Sequence, residues 1–122
     1  MMPSGPTRVA VLFGGDSPER EVSLSSGRAL CSALEGAGFL VEPLEADSPR
    51  RMLEMTGRSD ADVFFIALHG SWGEDGRIQA ALELMGKVYT GSGATACALA
   101  MDKRASKALF TADGVPTPRA LC

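Results

Sequence analysis

Residues 8–15 read RVAVLFGG, and this stretch decides the fold. Residues 9–13 are apolar throughout and partly β-branched, which is typical of a parallel strand buried on both faces. Two glycines end the run, and residues 16–19, DSPE, follow as a polar loop. The stretch therefore predicts a buried parallel strand that delivers a polar site at its carboxyl end.

A second unit of the same kind follows further along the chain. The apolar run of residues 62–68 predicts a strand from about Val63 to Leu68, and residues 69–76, HGSWGEDG, follow as a glycine-rich loop with one histidine and two carboxylates. Helical spacing follows each loop, from Val22 to about residue 37 and from Arg77 to Met85. Because the carboxyl ends of parallel strands share one edge of a sheet, we expect the two loops to form one pocket.

The rest of the chain continues the alternation of strands and helices. We expect a strand over residues 39–44, with Pro43 favouring its end or a sheet edge, and a short fourth strand over residues 88–90. Ser48 and Pro49 predict the start of a short helix, and two more helices are expected between Gly93 and Ala112. The pattern predicts an α/β fold, a parallel sheet with helices on both faces.

Composition limits the class of protein. The chain has 122 residues, 45% of them hydrophobic and 22% charged, which fits one folded domain. A net charge of −3 offers no broad surface for nucleic acid or an anionic membrane. The three cysteines show no Cys-x-x-Cys or zinc spacing. Because the N-terminal apolar run is too short for a signal peptide or a membrane span, we expect a cytoplasmic protein.

Local chemistry leaves the candidate site residues open. Glu19 and Glu21 could face an ammonium group, or they could merely complement the dipole of the following helix. His69, the sole histidine, could be catalytic or a structural hydrogen-bonding residue. Glu74 and Asp75 could cap the next helix, and for Asp75 we favour that structural role.

Two lysines suggest a second site. Lys103 and Lys107 are four residues apart and share a helix face, which suits a phosphate-bearing ligand. The alternative is a solvated basic face offset by Asp102 and Asp113. The sequence contains neither the Gly-x-Gly-x-x-Gly fingerprint nor a complete phosphate loop, so a dinucleotide site is weakly supported.

Four motifs occur in register along the chain: VLFGGDSPEREVSL (11–24), ALHG (67–70) through GEDG (73–76) with IQ (78–79), YTGSG (89–93), and MDK (101–103) with SK (106–107). Together they resemble the motifs of the D-alanine–D-alanine ligases. The resemblance runs from Arg8 to Pro118. It implies a Rossmann-like (pre-ATP-grasp) substrate-binding lobe over residues 1–115, with residues 116–122 starting the hinge to an ATP-grasp domain outside this sequence.

The resemblance also implies an activity. In this family, ATP phosphorylates the carboxylate of one D-alanine, and the amine of a second attacks the acyl phosphate to give a dipeptide for peptidoglycan. The implied cofactors are ATP and Mg²⁺ or Mn²⁺, with the metal ligands mostly in the downstream domain and none in this chain. The lobe alone is therefore expected to be inactive. D-alanine and ATP are the expected partners, and a homodimer is left open because family members commonly dimerise.

The resemblance assigns residue roles that local chemistry left open. Glu19 matches the acid that holds the ammonium of the first D-alanine, and Val22 and Ser23 match positions that line that pocket or support the acid. His69 matches a histidine beside the D-alanine site, and Lys103 matches a lysine on the nucleotide side. Two alternatives remain: a ligase that joins D-alanine to D-lactate or D-serine, and a non-catalytic flavodoxin-like module that binds a small anion.

Overall fold

A computed structural model describes residues 5–119 of the chain. Its sheet has three parallel strands, β1 (Arg8–Gly14), β2 (Leu40–Ala46) and β3 (Val63–Ile66), in the order β2-β1-β3. Residues 9–14 of β1, the central strand, are all buried. This burial explains why residues 9–13 lack polar residues, and it confirms the strand predicted from them.

The described part of the chain contains six helices. They are α1 (Arg20–Gly36), α2 (Pro49–Arg58), α3 (Ser71–Glu74), α4 (Arg77–Leu84), α5 (Ala94–Met101) and α6 (Lys103–Ala112). Alternate residues of β1 enter two separate cores. Val9, Val11 and Phe13 pack with Leu24 of α1. Ala10 and Leu12 pack with residues of α2 and α4, which include Met52, Ile78 and Leu82. The prediction of a parallel sheet with helices on both faces is confirmed.

Helix α1 packs unusually closely against β1. A Cβ atom on Gly27 would lie 2.3 Å from Cγ of Phe13, so only glycine allows this approach. The contact fixes α1 against the central strand. The first turn of α1 is thereby held at the carboxyl edge of the sheet, where the predicted site lies.

The edges of the sheet agree with the sequence prediction at Pro43 and differ from it at the fourth strand. Pro43 lies on the edge strand β2 opposite Val11, where its missing N–H is tolerated. The expected fourth strand is reduced to a single parallel bridge between Phe64 and Tyr89. The ladder stops there because the N–H of Ile66 donates to the side-chain Oγ1 of Thr90, at 3.3 Å, instead of to a backbone carbonyl.

The second site loop contains a helical turn that the sequence did not predict. Strand β3 ends at Ile66 instead of Leu68, and part of the predicted loop forms the single turn of α3. Gly70 and Ser71 begin this turn with positive φ angles of 71° and 25°. The start of α2 is as predicted, because the Ser48 side chain accepts a hydrogen bond from the N–H of Arg51 at 3.4 Å.

Candidate functional site

The two predicted loops lie side by side, at the carboxyl ends of neighbouring strands β1 and β3. Ser23, in the first turn of α1, ties both strand ends to the helix. Its Oγ accepts a hydrogen bond from the N–H of Gly14 at 2.9 Å and donates to the carbonyl of Ala67 at 2.6 Å. Ser23 is fully buried, so the geometry favours support of the site over direct lining of a pocket.

Two further side chains join the loops directly. Ser17 Oγ accepts a hydrogen bond from the N–H of Glu19 at 3.1 Å and donates to the carbonyl of His69 at 2.9 Å. Trp72 Nε1 donates to Oδ1 of Asp16 at 2.7 Å. These bonds turn two loops that are distant in sequence into one structural unit.

Glu19 lies on the exposed side of this unit, immediately before α1. Its side chain does not cap the helix, and its carboxylate has no hydrogen-bond or ion-pair partner within residues 5–119. A Cβ atom on Gly70 would lie 2.9 Å from Oε2 of Glu19, so glycine leaves room for this carboxylate beside the second loop. The acid that helps the dipole in the first turn of α1 is Glu21.

His69 lies next to Glu19's loop and is half-buried. Its Nε2 is 3.2 Å from Oγ of Ser26 on α1, and its Nδ1 is 3.8 Å from Oε1 of Glu74. The other oxygen of Glu74 accepts a hydrogen bond from the N–H of Gly70 at 2.6 Å. Glu74 therefore shapes the loop and also faces the imidazole.

Asp75 has the structural role that we favoured. Its Oδ1 accepts a hydrogen bond from the N–H of Arg77 at 3.2 Å, and its Oδ2 is 3.3 Å from Nε of the same arginine. Both contacts stabilise the start of α4. Val22, the remaining candidate on α1, is 59% exposed one turn after Glu19.

The two predicted lysines make different contacts. Lys103 is exposed at the first position of α6 and has no hydrogen-bond or ion-pair partner in the described range. Asp102 caps that helix, accepting from the N–H groups of Arg104 and Ala105 at 3.0 Å each. Lys107 donates to the carbonyl of Pro118 at 2.6 Å, so it holds the segment that follows α6.

An open cavity of about 420 Å³ lies beside His69, between the end of β3 and helices α4 and α5. Its wall includes Gln79, whose Nε2 donates to the carbonyl of Gly73 at 3.1 Å and whose buried Oε1 has no hydrogen-bond partner among residues 5–119. Cys97 also lines it; Cys97 and Cys31 are free thiols, and Cys122 lies outside the described residues.

A hydrogen-bonded pair connects α4 to α5 next to this cavity. The Tyr89 hydroxyl donates to Oε1 of Glu83 at 2.5 Å, and the same oxygen accepts from the N–H of Ala94 at 3.1 Å. The two bonds lower the pKa of the Glu83 carboxyl. The bond to the carboxylate raises the pKa of Tyr89 to about 12, because it favours the protonated phenol.

The sequence did not identify four residues of this region as part of the site. Asp16, Ser17, Ser26 and Gln79 all hold or face the site, and three of them act through contacts 43 to 56 residues away. Of these four, only Ser26 could have been identified from the sequence, since positions 19, 22, 23 and 26 follow helical spacing on one face of α1.

The described residues contain no group of three or more His, Cys, Asp or Glu side chains arranged to hold a metal ion. Within the same range, no helix is long and apolar enough to cross a membrane.

Known proteins are similar to this chain in both sequence and fold. The family described as D-ala D-ala ligase N-terminus matches residues 45–92. D-alanine–D-alanine ligase of Azoarcus sp. is 54% identical over 112 residues, which are 92% of this chain and 36% of that protein. The corresponding ligase of Gloeobacter violaceus is 52% identical, over 91% of this chain and 36% of that protein.

A solved structure gives the same result for the fold. The D-alanine–D-alanine ligase from Bacillus anthracis, complexed with ATP, superposes with a TM-score of 0.87 at 33% identity. The superposition covers 95% of this chain and 38% of that one. The chain thus spans about a third of the length of the ligases it matches.

Proposed function

We propose that this chain, which matches the N-terminal part of the D-alanine–D-alanine ligases in sequence and fold, is the lobe of such a ligase that binds the first D-alanine. The observation that carries the proposal is that the Glu19 carboxylate, without a hydrogen-bond or ion-pair partner within residues 5–119, lies beside the loop that carries His69. An amino acid is a zwitterion. A carboxylate suits its ammonium group, and an imidazole N–H suits its carboxylate.

In the proposed reaction, the carboxylate of one D-alanine is activated by phosphoryl transfer from ATP. The amine of the second D-alanine then displaces phosphate and forms the peptide bond. The described residues would act before and during activation. Glu19 would hold the ammonium, His69 would orient the carboxyl end, and Val22 would line the pocket, while Ser23 supports the loops.

The described residues include a candidate contact for the nucleotide but no cluster that suits the metal ion. Lys103 is a cation without a partner in the described range, so it fits the negative charge of ATP. No cluster in the same range suits Mg²⁺ or Mn²⁺, so we derive no step from the metal. We propose that its ligands lie in the remainder of the ligase, and that the isolated lobe is therefore inactive.

We also propose the division of the chain predicted from the sequence, with a lobe over residues 1–115 and the start of a hinge over residues 116–122. The bond from Lys107 to the carbonyl of Pro118 supports it, because it holds the start of the hinge against α6. Residues 1–4 and 120–122 lie outside the described range. A cytoplasmic location, where ATP is available, fits the proposed reaction, and D-alanine and ATP are its proposed ligands.

The experiment that tests the proposal measures ADP release with ATP, Mg²⁺ and D-alanine. It compares this chain, the natural chain extended past Cys122, and the extended chain with Glu19→Gln or, as a matched control, Glu21→Gln. We expect turnover only from the extended chain, and a loss of about 100-fold in kcat/KM for D-alanine from Glu19→Gln alone, because an ammonium loses its charged partner.

Other outcomes would contradict separate parts of the proposal. Equal activity of Glu19→Gln and Glu21→Gln would remove the role of Glu19. ADP release by this chain alone would show that the lobe is active. If the extended chain ignores D-alanine but turns over ATP with another amino or hydroxy acid, the substrate assignment fails. D-lactate and D-serine, offered as second substrates, test the two related ligase activities.

The role of Lys103 needs its own pair of variants. Lys103→Gln in the extended chain is expected to raise KM for ATP about tenfold and leave KM for D-alanine unchanged. Arg104→Gln removes a positive charge one position further along the helix and serves as control. Equal values of KM for ATP in the two variants would argue against a nucleotide role for Lys103.

A further inference from the structure

Ser26 is the residue of α1 that touches His69. Its Oγ is 2.8 Å from the carbonyl of Val22, 3.3 Å from the carbonyl of Ser23 and 3.2 Å from Nε2 of His69. A serine hydroxyl has one proton to donate. The two carbonyls can only accept, and the nearer one lies at ideal distance, so the proton is directed into the helix.

This assignment decides what Ser26 offers to the imidazole. With its proton given to a carbonyl, Oγ can only accept from Nε2, so a hydrogen bond at this contact requires the proton on Nε2. On the other side of the ring, Nδ1 is 3.8 Å from Oε1 of Glu74, too far for a hydrogen bond. The contact with Ser26 is therefore the hydrogen bond that holds the ring in the described structure.

We propose that Ser26 is a positioning residue for His69, which keeps the proton on Nε2 and fixes the orientation of the ring. The significance for amino-acid binding rests on the proposed function. A neutral imidazole repels a carboxylate through its lone pair and attracts it through its N–H. In the complex, the N–H on Nε2 can be shared between Ser26 Oγ and the ligand carboxylate, so Ser26 still holds the ring and no change of tautomer is needed.

The single histidine makes a direct test possible. Nitrogen-15 labelling of histidine in this chain gives the signals of one imidazole, which report the proton on each ring nitrogen. At a pH where the ring is neutral, we expect the proton on Nε2 in the unmodified chain. Ser26→Ala should populate the second tautomer and move both nitrogen shifts toward those of free histidine. Ser26→Thr, which keeps the hydroxyl, should restore the original spectrum.

Two controls keep the result interpretable. Ser25→Ala changes an exposed serine one position away and should leave the imidazole signals unchanged. Backbone amide spectra show whether each variant is folded, and alanine is favourable within a helix. A proton on Nδ1 in the unmodified chain, or an identical imidazole spectrum in Ser26→Ala, would overturn the proposal.

The extended ligase supplies the second readout. Losing one positioning hydrogen bond should raise KM for the first D-alanine by about two- to tenfold, with kcat nearly unchanged. Ser26→Thr should recover the original KM. A fall in kcat with KM unchanged contradicts positioning. The two proposals fail separately: the imidazole spectrum decides the role of Ser26, whereas an extended chain that is inactive toward D-alanine rejects only the proposed function.

Discussion

Trp72 Nε1 donates a 2.7 Å hydrogen bond to Oδ1 of Asp16, across 56 residues of sequence. The indole is buried against the core, while the carboxylate lies at the exposed surface of the first loop. The bond therefore fixes the loop after β3 onto the loop after β1. The candidate site depends on side chains of this kind, because neither loop is part of the backbone ladder of the sheet.

Removing the acceptor of this bond should loosen the site and lower stability. Asp16→Ala is expected to lower the free energy of unfolding by about 1–2 kcal/mol, because a hydrogen bond to a charged group is lost and the indole N–H is left without its acceptor. Urea unfolding followed by the fluorescence of the sole tryptophan measures the change. Asp47→Ala, at an exposed carboxylate without a hydrogen bond in the described range, is the control. Equal stability of the two variants would contradict the expectation.

Ser23→Ala should lower the free energy of unfolding by more than the removal of a single oxygen atom suggests. The substitution leaves the N–H of Gly14 and the carbonyl of Ala67 without their buried partner, so we expect a loss of about 1–3 kcal/mol in the free energy of unfolding. Ser25→Ala, on the exposed face of the same helix, should change stability by less than about 0.5 kcal/mol. If the two alanine variants unfold at the same urea concentration, Ser23 does not hold the strand ends as described.

Two glycines of α1 should respond to alanine in opposite directions. At Gly27 the new Cβ would overlap the ring of Phe13, so we expect a loss of about 3 kcal/mol or failure to fold. At Gly36 a Cβ has nothing within 4 Å, and alanine should raise stability by about 0.4–1 kcal/mol. Circular dichroism with denaturant measures both. A stable Gly27→Ala variant would show that α1 can move away from β1.

The pair Tyr89–Glu83 predicts an unusual titration. The folded pKa of Tyr89 is raised from 10.0 to about 12, so the bond stabilises the fold fully below pH 10, and that stabilisation is lost as the pH rises through 12. The pKa of Glu83 is lowered, so its contribution is present above its usual value of 4.5 and is lost as the pH falls through the lowered pKa.

Because Tyr89 is the sole tyrosine, tyrosinate absorbance in the near ultraviolet follows it directly. We expect a midpoint near 12 in the folded chain and near 10 in denaturant. Glu83→Gln should lower the folded midpoint toward 10. Glu54→Gln, which removes a carboxylate paired with Arg50 on α2, should leave it unchanged. A midpoint near 10 in the folded chain would mean that the bond is absent.

Much of the fold could be predicted because its signals are local. The apolar run of β1 reflects burial on both faces, and Ser48 with Pro49 marks the start of α2 through contacts within one turn. Pro43 indicated either the end of a strand or an edge strand, because proline lacks a ladder donor, and the structure places it on the edge strand. In each case the residue type itself limits what the backbone can do.

The missed features depend on contacts between distant segments. Ser17 resembles any other loop serine until the fold brings the carbonyl of His69 beside it. The fourth strand was overestimated because Thr90 meets the N–H of Ile66 with its side chain, which residue propensities cannot foresee. The turn of α3 begins with positive φ angles at Gly70 and Ser71, a conformation that the packing of the loop must stabilise.

The strand order has a consequence for folding kinetics. Central strand β1 pairs with β3 between Val9 and Val63, and the bonds from Ser17 and Trp72 join residues 52 and 56 apart. During synthesis β1 and α1 emerge before β3, so the loop after β1 has no partner until β3 and the loop that follows it have been made. Since such long loops close slowly, we expect the unit formed by the two site loops to assemble late, after pairing of the central strand.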